Sequence, residues 1–530
     1  MNKKIRKRIL SMVLIIVMLF SITGCSSKKT SKKLINIGVT YAPGTINPLS
    51  PTTEVASSVT GLMFLPLLEV DSDMTFKPML AESIETDDNI KFTIKLFKDA
   101  KWTDGKAITS DDVIFTIRRM ANPAVGSIYA YIYAMIEGFD DYGYIEDGVT
   151  DIPGVTRVDD HTIELIAKEK VSLNTFNNSI SRFLWTLPEH VLKDVEPDKL
   201  INSEFFLNPN VTSGPFTLIK YDKDHYVQLA ANKDYFKGAP KIDQLNFNVM
   251  QGSQIYARLQ SGEIDFNLPT IGIIPVEDYD NIKALKNIKT FSEEPIANQF
   301  VYIDEDVIPD ARVRKALVHG INRQMIVDEL LKGNAEVIDG FFTSYSPYFD
   351  NTLGITEYNP ELAKSLLTEA GWDSSKELKI SVSSGDDTLA QAADILAANL
   401  NEIGIKSKIQ LKDLGTLLDE LYSMDFEIGI LQYSFTPVDP YPDISYLLME
   451  GNVNGYHNAE VDELLTLVKS VDDVEVIKGL YERVNEIASE EVPMFSLYAT
   501  KSLVAISDRV VNVNPRAFGA FINVHEWDIK

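Results

Sequence analysis

The stretch ELKISVSSGDDTLAQAADILAANLNEIGIKSKIQL, residues 377–411, changes its periodicity twice. Ile380 and Val382 alternate as on a strand. Leu389, Ala393, Leu396, Leu400 and Ile403 then recur at helical spacing, and Ile405, Ile409 and Leu411 open a second strand. Gly404 ends the helix, because glycine takes the left-handed backbone of a helix C-terminus without a Cβ penalty. Two strands joined through a helix run parallel, so this part of the chain is α/β with parallel sheet. In open sheets of that kind ligands lodge beyond the carboxyl ends of the strands.

Working outward, one such end carries an unusual loop. Phe426, Ile428 and Ile430 alternate with Glu427 and Gly429 as a strand ending near Leu431, and YSFTPVDPYPD, residues 433–443, follows. Three prolines and three aromatics surround Asp439 and Asp443 there, which makes the loop stiff, apolar and acidic at once. Its position places Asp439 at the rim where a ligand is expected, whereas Asp443 reads as a helix cap before Ile444.

The chain opens with MNKKIRKRILSMVLIIVMLFSITGC. Five cations (Lys3, Lys4, Arg6, Lys7, Arg8), an apolar run from Ile9 to Phe20 and then small residues form the pattern of a secretion signal. The apolar run falls short of the ~20 residues of a comfortable membrane span. Ile22-Thr23-Gly24-Cys25 resembles the lipobox of bacterial lipoproteins, in which cleavage leaves a lipid-modified cysteine at the new terminus. Cys25 is the sole cysteine, so no intrachain disulfide forms and stability rests on the core. Polar and basic residues through Lys33 read as a solvated tether. Removing residues 1–24 deletes five cations and no acids, which moves the formal charge from −27 to −32. So acidic a body does not bind nucleic acid, because phosphate contacts need clustered Lys and Arg.

About 500 residues exceed what a single core holds, so two or three lobes are expected. Ile90, Phe92, Ile94 and Leu96 alternate as a strand; Thr109-Ser110-Asp111-Asp112 starts a helix carrying Val113, Ile114 and Ile117; Asp222-Lys223-Asp224 turns a hairpin. Catalytic signatures are scarce. The six histidines are scattered with no cysteine partner, which argues against a metal site, and there is neither a GxSxG nor a P-loop. The pairs Asp111-Asp112 and Asp386-Asp387 stand where helix capping explains them. A hydrolase using two distant carboxylates stays open, since such pairs leave no local signature.

Read in order, LLEVDSDMTFKPMLAESIE, IKFTIKLFKDAKWTDGKAITSDDVIFTI, SGPFTLIKY with ANKDYFKGAPKIDQLNF, ARLQSGEID, DARVRKALVHGINRQMI, YNPELAKSLLTEAGW and NAEVDELL form a series. It resembles the successive signatures of the family 5 extracellular solute-binding proteins, the peptide, nickel and related receptors of ABC importers. Each motif also has a plain structural reading, so the motifs identify a scaffold and are not expected to touch ligand. The resemblance implies an α/β, periplasmic-binding-protein-like two-lobed cleft fold of mixed sheets with a third, smaller inserted lobe. Lobe I would take residues 34–64, 171–289 and 493–530, the inserted lobe II 65–170 and lobe III 290–492, after a signal peptide (1–24) and a lipidated tether (25–33).

The same resemblance implies a monomeric receptor rather than an enzyme, with no cofactor and no metal. It would capture an extracellular oligopeptide in a closing cleft and deliver it to an ABC permease with its ATPase subunits. Lipid at Cys25 would hold it on the outer face of the cell membrane, the periplasmic side in a two-membrane source. In the family's peptide receptors this loop carries an aspartate that binds the peptide's amino terminus, which implies Asp439 here, with Tyr433, Phe435 and Tyr441 around the ligand. Those receptors have Trp three residues before the aspartate, where this chain has Thr436. Pro437 and Pro440 also lack the N–H groups an extended peptide would use. An oligosaccharide stacked on the three aromatics, or a chelated metal, is therefore kept as the alternative solute.

Overall fold

The computed structural model describes residues 32–530, apart from 52, 147–148, 150, 385, 450–451 and 453. The signal segment and Cys25 lie outside the described residues. Leu34–Val39 is apolar at alternate positions, with Ile35, Ile37 and Val39 fully buried, and it becomes an interior strand of a seven-stranded sheet. In spatial order that sheet runs Ile288–Glu293, Ser502–Ser507, Phe266–Asn267, Leu34–Val39, Gln244–Val249, Tyr226–Ala231 and Phe216–Asp222. Leu34–Val39 is parallel to both neighbours, and the hairpin expected at Asp222 forms its far edge.

A four-stranded antiparallel sheet (Ala81–Glu85, Lys91–Leu96, Thr162–Ile166, Val155–Asp159) is inserted between segments of the first. The helix Ser110–Met120 packs beside it. Its start is fixed as expected, with the Thr109 amide donating to Asp112 Oδ2 at 2.9 Å. One continuous hydrophobic cluster contains both Ile37 of the large sheet and Phe92 of the inserted one, so these two lobes form a single packed body.

The third sheet has six strands in the order Ala335–Glu336, Met494–Thr500, Ala297–Ile303, Ile428–Ser434, Glu377–Ser383 and Lys406–Lys412. Glu377–Ser383 and Lys406–Lys412 are parallel, with the helix Asp387–Glu402 crossing over between them and Gly404 at φ +95°. The sheet is mixed, since Ile428–Ser434 is parallel to Glu377–Ser383 on one side and antiparallel to Ala297–Ile303 on the other. Ala297–Ile303 is apolar on both faces: Val301 and Ile303 enter one core cluster, Phe300 and Tyr302 another.

The chain passes from the seven-stranded to the six-stranded sheet between Glu293 and Ala297, and returns between Thr500 and Ser502. The expected divisions at 289/290 and 492/493 stand a few residues before these passages. Ile288–Glu293 pairs along its whole length with Ser502–Ser507, and Met494–Thr500 pairs with Ala297–Ile303. Strand pairing, which links residues two hundred positions apart, sets where the crossing falls.

The family-like motifs are scaffold. Ser213 N and Gly214 N both donate to the Met63 carbonyl, at 2.9 and 2.8 Å, and a Cβ on Gly214 would sit 2.2 Å from the Leu62 carbonyl oxygen. SGPF therefore docks on the end of the helix Glu54–Met63. Arg314 is buried: it pairs with Glu305 at 3.2 Å and donates to the carbonyls of Ile308, Pro309 and Glu491.

Candidate ligand-binding cleft

The strand Ile428–Ser434 runs three residues past Leu431, so Tyr433 is a paired strand residue opposite Asn298. The loop then turns between Thr436 and Asp439, whose amide donates to the Thr436 carbonyl at 3.2 Å, and enters the helix Tyr441–Leu448. Asp443 lies inside that helix rather than capping it. It clamps the loop, accepting from Thr436 N at 2.9 Å and from the Tyr433 hydroxyl at 3.3 Å.

Asp439 is 6% exposed. Its Oδ1 accepts from Tyr441 N at 3.3 Å, its main-chain carbonyl accepts from Asn178 Nδ2 at 3.0 Å, and its Oδ2 has no hydrogen-bond partner among the described residues. Burial pushes its carboxyl up to about 6, against the pull of the Tyr441 amide. The carboxylate in turn helps burial raise Tyr348, to about 12, and Tyr481, whose buried hydroxyl also lacks a partner. Asp439 thus sits in a tyrosine-lined recess. Tyr433 and Tyr441 are half-buried beside Asp443 and Asp439.

Phe435 is part of the core. It is 5% exposed and packs edge-on against Phe300 (centroids 5.8 Å apart) and Phe342 (6.1 Å). The ring expected to stack on a ligand thus faces this core cluster, with Tyr433 beside it at 5.2 Å.

A cavity of about 160 Å³ is joined to the loop through Arg182 and Asn178. Its walls include Glu54 and Ser57 at the start of the helix Glu54–Met63, Arg182, Leu268 with Thr270, and the C-terminal run 516–522. None of the four expected side chains lines it. The connection is Arg182, whose guanidinium pulls down the Asp443 carboxyl that burial pushes up to about 6. Tyr41 and Tyr131 are about half exposed, 49% and 56%, yet burial raises both. Side chains behave so on the walls of an enclosed, water-accessible cleft. Tyr41 follows the strand Leu34–Val39 and feels Asp386, which follows the strand Glu377–Ser383. Carboxyl strand ends of both bodies therefore face each other, as the rule for open sheets requires. Phe518 stacks on Tyr345 across the same divide, at 6.3 Å and 17°.

Glu54, Arg182, Arg516 and Tyr131 were missed from sequence. A cation inside the apolar run SRFLW (181–185) was the only local signal for Arg182. Among the described residues no three His, Cys, Asp or Glu side chains converge to hold a metal ion, and no helix is long and apolar enough to cross a membrane.

The profile of the bacterial extracellular solute-binding proteins, family 5, middle region, matches residues 75–455. The chain belongs to this family. Family 5 proteins bind solutes and are not enzymes, so the hydrolase reading falls and the cleft is a place of capture. The chain is 26% identical to the oligopeptide-binding protein AppA of Bacillus subtilis, over 98% of its own length and 99% of the relative's. The structure of that AppA in complex with a nonapeptide shares the fold at a TM-score of 0.79 and 24% identity, covering 94% of this chain and 99% of the other. NikZ of Campylobacter jejuni in complex with Ni(L-His) also matches at 0.79 and 24%, covering 94% and 99%. The family 5 solute-binding protein described here thus has the multi-lobed, mixed α/β architecture of periplasmic binding proteins.

Proposed function

We propose that this protein is the substrate-binding lipoprotein of an ABC importer and that its solute is an oligopeptide. The observation that carries the reading is its end-to-end likeness to an oligopeptide-binding protein. A cleft with carboxylates and guanidinium groups on its walls supports it, since a peptide presents both charges. In this reading lobes I and II move as one body against lobe III about the paired crossings at 293–297 and 500–502. Ligand closes them through contacts made only in the closed form. Asp439 receives the peptide ammonium, with Tyr433 and Tyr441 beside it. The monomer is held by lipid on Cys25 at the outer face of the cell membrane and passes its ligand to the permease.

A second reading, a chelated metal, draws on the equally good match to the receptor solved with Ni(L-His). Calorimetry separates the two. Short peptides should bind, N-acetylation should weaken them about 30- to 150-fold by deleting a charge-assisted bond of roughly 2–3 kcal/mol, and nickel–histidine should give no heat. Tight binding of nickel–histidine with no response to peptides overturns the peptide reading.

A further inference from the structure

Glu54 is the first residue of a ten-residue helix and stands exposed on the wall of the cavity beside Arg182. Thr270 stands beside it on the same wall, and no ion pair reaches it among the described residues. The two guanidinium groups on the cavity wall are already engaged. Arg182 Nε pairs with Glu69 at 3.0 Å and its Nη1 donates to Asn178 Oδ1 at 3.2 Å. Arg516 pairs with the buried Glu293 at 2.6 Å and lies over the Phe291 ring at 4.4 Å. Each arginine thus cancels a carboxylate of its own body, and Glu54 is left with only the distant field of Arg182.

The helix N-terminus favours a negative charge at Glu54, and so does the neighbouring Thr270 hydroxyl, against the burial that raises its carboxyl. When the cleft closes on a ligand and water leaves, an unpaired carboxylate becomes costly unless the ligand supplies the counter-charge. Glu54 lies on the opposite body from the 433–443 loop, so a peptide whose ammonium is held at that loop meets Glu54 with another part of itself.

We propose that Glu54 is a specificity residue that selects peptides carrying a basic side chain. The inference rests on the peptide reading given above. A neutral side chain at that place leaves the carboxylate dry and unpaired, and an acidic one adds repulsion, so discrimination follows the order basic, neutral, acidic.

The test is calorimetry with a pentaalanine host in which Lys, norleucine or Glu is placed at each position in turn, using the wild-type protein, Glu54→Gln and Glu54→Asp. The wild type should favour Lys over norleucine by about tenfold or more at one position at least. Glu54→Gln should bring that ratio close to one, and Glu54→Asp should keep part of it. Because each ratio is taken within one protein, a variant that folds less well does not mimic the result. A wild type that binds these peptides without regard to charge, or a preference that survives in Glu54→Gln, overturns the inference while leaving the peptide reading intact. No binding of any peptide overturns both.

Discussion

The side-chain amide of Asn178 donates to the main-chain carbonyl of Asp439 at 3.0 Å, joining residues 261 positions apart. Asn178 belongs to the segment Asn177–Ser181, whose Ile180 is buried in the core shared by the first two lobes. Asp439 belongs to the rim loop of the six-stranded sheet. This bond is a tie between the bodies that must part when the cleft opens. Asn178→Ala should remove about 1 kcal/mol from the closed form, seen as a larger radius by small-angle scattering without ligand and a several-fold higher Kd.

A second tie lies at the far side of the inserted lobe. Asp472 accepts from Leu173 N at 3.0 Å and from the Asn89 side chain, Ser172 N donates to the Lys469 carbonyl at 3.1 Å, and Lys469 pairs with Glu169 at 2.6 Å. Asp472→Ala orphans a main-chain donor and should loosen closure by about 1–2 kcal/mol. Lys469→Ala, at an ion pair whose acid is 65% exposed, should change it by less than ~1 kcal/mol. Equal scattering curves for the two variants would contradict this ranking.

The pH response of Asp439 separates stability from binding. Its carboxyl has a pKa near ~3.9 in an unfolded chain and about 6 in the folded one. Between those values the folded protein holds the extra proton, so stability falls as pH rises through that window and stays at the lower level above it. Asp439→Asn removes the loss. The ligand-free variant should therefore be more stable than wild type at pH 7.5, by at most about 3 kcal/mol, with the gain fading below pH 4. Urea unfolding at both pH values measures it. If the ammonium is held here, the same substitution weakens peptide binding.

Phe435→Ala should cost about 3–5 kcal/mol of stability, because it empties a site enclosed by Phe300 and Phe342. Thermal unfolding checks this. A variant that melts like wild type but binds ligand weakly would return Phe435 to the cleft.

Cys25→Ser should release the protein from the membrane fraction into the medium with ligand affinity retained. Retention in the membrane fraction would show that the amino-terminal segment spans rather than being cleaved.

How much was legible follows from how local each signal is. The crossover over 377–411, the hairpin at Asp222 and the helix start at Thr109 are each specified within thirty-odd residues by period, glycine and cap. The Asp439 loop was placed correctly at a strand end for the same reason. The burial of Phe435 inside it was not, since the rings that enclose it, Phe300 and Phe342, come from remote segments of the chain. Glu54 and Arg182 were invisible because what defines them is remote: Thr270 beside the first, and Glu69 113 residues from the second. A carboxylate and a guanidinium without their neighbours look like ordinary surface.

The interior place of Leu34–Val39 also dictates when the molecule can fold. Asn36 waits 210 residues for the side chain of Asn246 beside it, and the Leu34 carbonyl waits 475 for Arg509. A strand made first finds its parallel neighbours only when Gln244–Val249 and Phe266–Asn267 have emerged, about halfway along the chain, and pairings so distant fold slowly. The inserted four-stranded sheet, whose strands all precede residue 167 and pair only with one another, is therefore complete in the growing chain before the large sheet has its centre.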